Sequence, residues 1–93
     1  MNKYELTIVL DGKATKAQIT EKKEFIEKLV KISEGKVLKN EDWGIKNLEY
    51  KIKNSTSGFF AYFEIEVTPA SIKDINEKLR LEEGIIRYLL IKA

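Results

Sequence analysis

Residues 59–67 read Phe-Phe-Ala-Tyr-Phe-Glu-Ile-Glu-Val (FFAYFEIEV), and their alternation decides how the rest of the chain can be arranged. Aromatic and β-branched side chains dominate the run, the composition of a strand rather than a helix. Phe59, Ala61, Phe63, Ile65 and Val67 make one uniformly apolar side. Phe60, Tyr62, Glu64 and Glu66, on the other side, pass from aromatic to acidic. Successive strand residues point to opposite faces, so this strand has one side for a core and another that is chemically mixed.

Upstream, NSTSG (54–58) is read as a hairpin connection from a second strand, in which Leu48, Tyr50 and Ile52 alternate with Glu49, Lys51 and Lys53. KVLKNEDW (36–43) carries the same strand further back, and Gly44 interrupts it as a bulge or bend. Before that, Thr15 is a candidate cap for a helix that puts Ile19, Ile26, Leu29, Val30 and Ser33 on one face, with Gly35 closing it. Lys22, Lys23, Glu24, Glu27, Lys28 and Lys31 of that helix are mostly solvated. The chain opens on KYELTIVL (3–10), where Tyr4, Leu6, Ile8 and Leu10 alternate with Glu5, Thr7 and Val9 as a first strand. Downstream, Thr68 and Pro69 start a second helix with Ile72, Ile75 and Leu79 at helical spacing. Gly84 ends that helix and IIRYLLIK (85–92) is a final strand.

The order strand, helix, strand, strand, helix, strand, with right-handed crossovers, gives a four-stranded antiparallel sheet with both helices on one face. This is the ferredoxin-like split βαβ arrangement of the α+β class. Its second face carries no helix, and Phe60 and Tyr62 make that face a candidate docking surface.

Ninety-three residues support one core and therefore one domain, residues 1–93. The composition, 43% hydrophobic and 34% charged, is that of a folded soluble protein. There is no apolar run long enough to span a membrane and no leader-like N-terminus, so the expected compartment is the cytoplasm. Zero Cys and zero His remove disulfides, thiolate nucleophiles, imidazole bases and the usual zinc ligands. The net charge of +2 is too mild for a wrapping polycation, though not for a local basic patch.

Glu64 with Glu66 and Glu82 with Glu83 have no nucleophile or His beside them, so solvated charge pairs are the better reading. No GxxxxGK[ST] or GxGxxG loop cradles phosphate, and no metal or other cofactor is expected. Base stacking on Phe60 and Tyr62 fits the sheet only loosely, because Glu64 and Glu66 on the same side repel phosphate. Core or protein contact is favoured for those rings. In the hairpin, Trp43 and Tyr50 stand among Lys46, Lys51 and Lys53, and hairpin support and nucleic-acid contact are equally open from the residues alone.

EDWGIKNLEYKI (41–52) resembles the signature region of the family of the sixth protein of the bacterial small ribosomal subunit: Gly44, Lys46, Leu48, Tyr50 and Ile52 match it in register. YELTIVL, GKV, GFFAYFEIEV and LRLEEGIIRYLLIK resemble, in the same order, further strands and the ending of that family. Asn47 stands where a second basic residue is common and Glu49 where a small one is usual, which leaves phosphate contact in this pair to Lys46. The acidic tail of some relatives is not seen after Ala93, and tail-linked modification is not expected.

The resemblance implies a non-enzymatic protein that binds the central domain of 16S rRNA together with ribosomal protein S18 and is monomeric outside the ribosome. It places Lys3, Tyr4, Lys46, Tyr50, Lys53, Arg87 and Lys92 toward RNA. It places Trp43, Gly44, Ile45 and Leu48 toward hairpin shape and the protein partner, joined there by Phe60 and Tyr62 of the uncovered face. The competing readings are a small-molecule regulatory module on the same fold and an acylphosphatase-like hydrolase. The second lacks the basic phosphate loop it would need in DGKAT (11–15).

Overall fold

A computed structural model describes residues 1–52 and 55–93, the side chains of 49–52 and 55 excepted. Its elements are β1 (Asn2–Asp11), α1 (Lys16–Ile32), β2 (Lys36–Ile52), β3 (Ser55–Val67), α2 (Pro69–Leu81) and β4 (Ile85–Lys92). All strand pairs are antiparallel in the order β2-β3-β1-β4, the ferredoxin-like arrangement expected from the element order.

Local chemistry sets the helix ends. The Thr15 hydroxyl accepts from the Gln18 backbone N–H while the Gln18 side chain accepts from the Thr15 N–H, a reciprocal capping box. Pro69 occupies the first turn of α2, where its missing N–H costs nothing. The end of α1 differs from expectation. Glu34, not Gly35, takes the left-handed backbone at φ 59°, and the Gly35 N–H donates to the Val30 carbonyl at 2.9 Å. Gly35 is needed for a different reason: a Cβ there would lie 2.4 Å from Val67 Cγ1 and 2.5 Å from the Glu66 carbonyl oxygen.

β2 is one strand of 17 residues, its ladder with β3 carried across irregularities at Val37/Lys39, Asp42/Gly44 and Asn47/Ile52. Gly44, at φ 85°, absorbs the second of these. The expected connection at 54–58 is shorter than read, since β3 starts at Ser55 and the Ser57 carbonyl accepts from the Gly12 N–H at 3.0 Å.

The core lies between the helices and one sheet face. Ala61, Phe63, Ile65 and Val67 are fully buried there beside Leu6, Ile8 and Leu10, with Ile26, Leu29 and Val30 from α1 and Ile75 and Leu79 from α2 closing over them. Phe25, absent from the sequence reading of α1, packs against the edge of this cluster. Full burial of each such Leu, Ile or Phe contributes about 1.5–3 kcal/mol. The Tyr88 hydroxyl donates to the Asn76 carbonyl at 3.2 Å and holds β4 to α2. Lys23 Nζ meets Asp42 Oδ1 at 2.7 Å and ties α1 to β2.

Candidate functional site

The site grows from the alternation in β3. With Phe63 and Ile65 turned to the helices, Phe60, Tyr62, Glu64 and Glu66 stand on the uncovered face. Register supplies their neighbours: Val9, Thr7, Glu5 and Lys3 from β1 lie directly opposite them. On the far side of β1, Arg87, Leu89 and Ile91 of β4 pair with Val9, Thr7 and Glu5. The face therefore has a gradient, aromatic and basic where Phe60 and Arg87 lie, increasingly acidic toward Glu64.

The irregularity in β2 adds the largest ring. Trp43 falls between Asp42, which opposes Ala61, and Gly44, which opposes Phe60. It lies over Tyr62 with ring centroids 4.8 Å apart and planes 10° from parallel. Lys46 Nζ sits 5.5 Å from the ring centroids of both Trp43 and Phe60, in reach of cation–π attraction. Together with Leu48, Arg87 and Leu89 these rings line a groove of ≈ 320 Å³. The surface stays apolar and accessible: Trp43 is 44% exposed, Leu89 58% and Ile91 46%. Single exposed apolar residues are ordinary, whereas this set shares one face with no helix over it.

At the acidic side of the gradient the Tyr62 hydroxyl donates to Glu64 Oε2 at 3.0 Å. Desolvation under the Trp43 ring, the hydrogen bond to Glu64 and the charges of Glu5, Glu64 and Glu41 push the phenol up from 10.0 to about 12. Three carboxylates around one hydroxyl make this spot unfavourable for phosphate. Among the described residues no group of His, Cys, Asp or Glu could hold a metal ion.

The residues expected to face RNA divide into groups. Lys46 and Arg87 share the groove. Lys3 and Lys92 are exposed near the opposite end of β1 but on different faces, Lys3 opposing Glu66 on the uncovered face and Lys92 opposing Tyr4 on the helix side. Val9, the partner of Arg87, lies six strand steps beyond Lys3 on β1, so the two ends stand about 20 Å apart at the rise of a strand. Tyr4 requires a correction: it is 7% exposed and belongs to the core, because the alternation that turns Leu6, Ile8 and Leu10 inward turns Tyr4 with them. The Tyr50 side chain and all of Lys53 lie outside the described residues.

Of the residues expected to meet a protein partner, Trp43, Leu48 and Phe60 line the groove, and Tyr62 stacks under Trp43. Gly44 is half-buried in the bulge. Ile45 is exposed but opposes Phe59, on the helix side of the sheet, and so does not join them. Val9, Leu89, Ile91 and the carboxylates of Glu5 and Glu41 were absent from the sequence-based site. Strand alternation was their only signal, and it needed the register between strands to become a surface.

A family model described as Ribosomal protein S6 matches residues 3–92. The chain belongs to this family. A relative from Pelagibacter ubique, named small ribosomal subunit protein bS6, is 33% identical over 93 residues, covering 100% of this chain and 77% of the relative. The crystal structure of 30S ribosomal protein S6 from Thermotoga maritima superposes with a TM-score of 0.91 at 18% identity, covering 99% of this chain and 87% of that one. The C-terminal domain of the MgtC protein from Mycobacterium tuberculosis has the same fold at a TM-score of 0.66 and 12% identity, over 100% of this chain and 88% of that one. Fold is thus shared across differently named proteins, and it is the sequence match that assigns this chain to the ribosomal protein S6 family.

Proposed function

We propose that this chain is a structural constituent of the small ribosomal subunit that binds the central domain of 16S rRNA jointly with ribosomal protein S18. The observation that carries the reading is the groove where Lys46 and Arg87 flank Trp43 and Phe60 on a sheet face left bare by both helices. Lys and Arg at its rim neutralise phosphates, while the apolar floor suits a protein surface. The carboxylates of Glu5, Glu41 and Glu64 repel RNA from the middle of the face, between the groove and the Lys3 end of β1. Lys3 and Lys92 offer further phosphate contacts at the far end of β1, one on each face of the sheet, with the buried Tyr4 fixing the strand between them. Gly44 sets the aim of Trp43 rather than making contact.

A net charge of +2 and few phosphate contacts give weak RNA affinity to the chain alone, so a partner that completes the surface follows physically. No step in this role calls for a catalytic group, and the place of action is the ribosome. The test is assembly of the chain with purified S18 and a central-domain fragment of 16S rRNA. The expected result is a ternary complex much tighter than either binary one. A chain that leaves the RNA–S18 mixture unchanged, and that is absent from small subunits on sucrose gradients, overturns the reading.

A further inference from the structure

Two of the 17 basic residues are arginines, Arg80 and Arg87, and both line one cleft of ≈ 270 Å³ at the start of β4. Arg80 comes from the last turn of α2 and Arg87 from β4, so the cleft joins the helix layer to the sheet around its edge. Leu79, Ile85, Ile86 and Tyr88 complete its lining. Both arginines are exposed, and among the described residues every ion pair is made by a lysine. Glu77 precedes Arg80 by a spacing that permits a helical ion pair, yet none forms, and Glu82 is engaged by Lys22 at 3.1 Å.

Two exposed arginines that border one cleft, neither paired with a carboxylate among the described residues, attract an anion there. Arginine rather than lysine at both positions specifies the anion further, because the planar fork matches phosphate oxygens two at a time. β4 is also the outermost strand, so its outer side lacks a ladder partner and its backbone N–H groups there are available to an oxygen acceptor. Arg87 lines both this cleft and the groove that holds Lys46, which makes the two a continuous track around the β4 edge.

We propose that Arg80 and Arg87 form a phosphodiester-binding site at the β4 edge, through which an RNA backbone reaching Lys46 continues past Arg87 onto α2. The site rests on the RNA-binding reading above and adds Arg80 to it. The test is binding of the chain with S18 to a central-domain fragment of 16S rRNA across a salt series, with wild type, Arg80→Gln and Arg80→Lys compared. Arg80→Gln is expected to lose about three- to tenfold in affinity and to lower the slope of log affinity against log salt by about 1. Arg80→Lys should keep the slope and recover part of the affinity. The melting temperature and the affinity for S18 without RNA should stay at wild-type values. Wild-type affinity and slope in Arg80→Gln overturn the site while leaving the RNA reading intact, whereas wild-type chain that fails to bind the fragment overturns both. A fall in melting temperature that accounts for the whole loss overturns it as well, by making Arg80 a helix-end stabiliser.

Discussion

Neighbouring residues of β3 meet opposite fates. Phe63, Ile65 and Val67 lie fully buried under two helices, whereas Phe60 and Tyr62, on the other face, are only half-covered by Trp43 and by side chains of β1. On the covered face, specificity comes from three elements closing over each ring. On the open face it comes from a lateral stack and from a cation held between two rings, so the rings stay in place and reachable together. The difference teaches that an aromatic strand can serve stability and recognition at once, provided that the two tasks fall on alternate residues.

The hardest strike at this contrast is a matched pair of truncations. Phe63→Ala should destabilise the fold by about 3–5 kcal/mol in urea unfolding, as a ring removed from a closed core leaves a cavity. Phe60→Ala should cost far less, and equal losses would mean that the open face is core in disguise. Next in size is Trp43→Ala, which removes the stack on Tyr62. A stability loss of about 0.5–1.5 kcal/mol beyond area burial is expected, with weakened association with S18 in a pull-down. Unaltered association would assign Trp43 to hairpin packing alone.

Protonation tests the open face more gently. Tyr62 is held at about 12 against 10.0 for an ordinary phenol, so the folded state keeps a proton that the unfolded chain gives up. The resulting stability is fully present below pH 10 and is lost as pH rises toward 12. Ultraviolet titration should show one late-ionising phenol that is missing in Tyr62→Phe, and the stability difference between the two proteins should narrow across that window. Smallest on stability, and largest on function, is Lys46→Glu. A change within about 0.5 kcal/mol in unfolding is expected for an exposed side chain. Assembly with RNA and S18 should nevertheless fall clearly. A large unfolding effect with intact assembly would make the cation–π contacts structural.

How much of this was legible beforehand depended on whether the information was local. Thr15 with Gln18 and Thr68 with Pro69 announce helix starts, and the alternation from Phe59 to Val67 announces a two-faced strand, because caps and pleats are properties of a few adjacent residues. Tyr4 was legible too, since its alternation with Leu6 and Ile8 points inward, and only the family resemblance turned it outward. Trp43 was not. Beyond a bulge the two-residue period no longer says which face a side chain takes, and the stack on Tyr62 depends on where the ladder slips. The company of Lys46 and Arg87 was hidden for the same reason. They stand 41 residues apart in the chain and meet only because β3 and β1 lie between their strands in the order β2-β3-β1-β4.

That strand order also has a consequence in time. β1 is the first strand to leave a translating ribosome, yet its ladder partner on one side, β4, is the last of the six elements, so that Tyr4 waits for Lys92. Until β4 emerges, one edge of β1 stands open. The sheet closes only once β4 has emerged, and loop closure over so many residues is slow to nucleate.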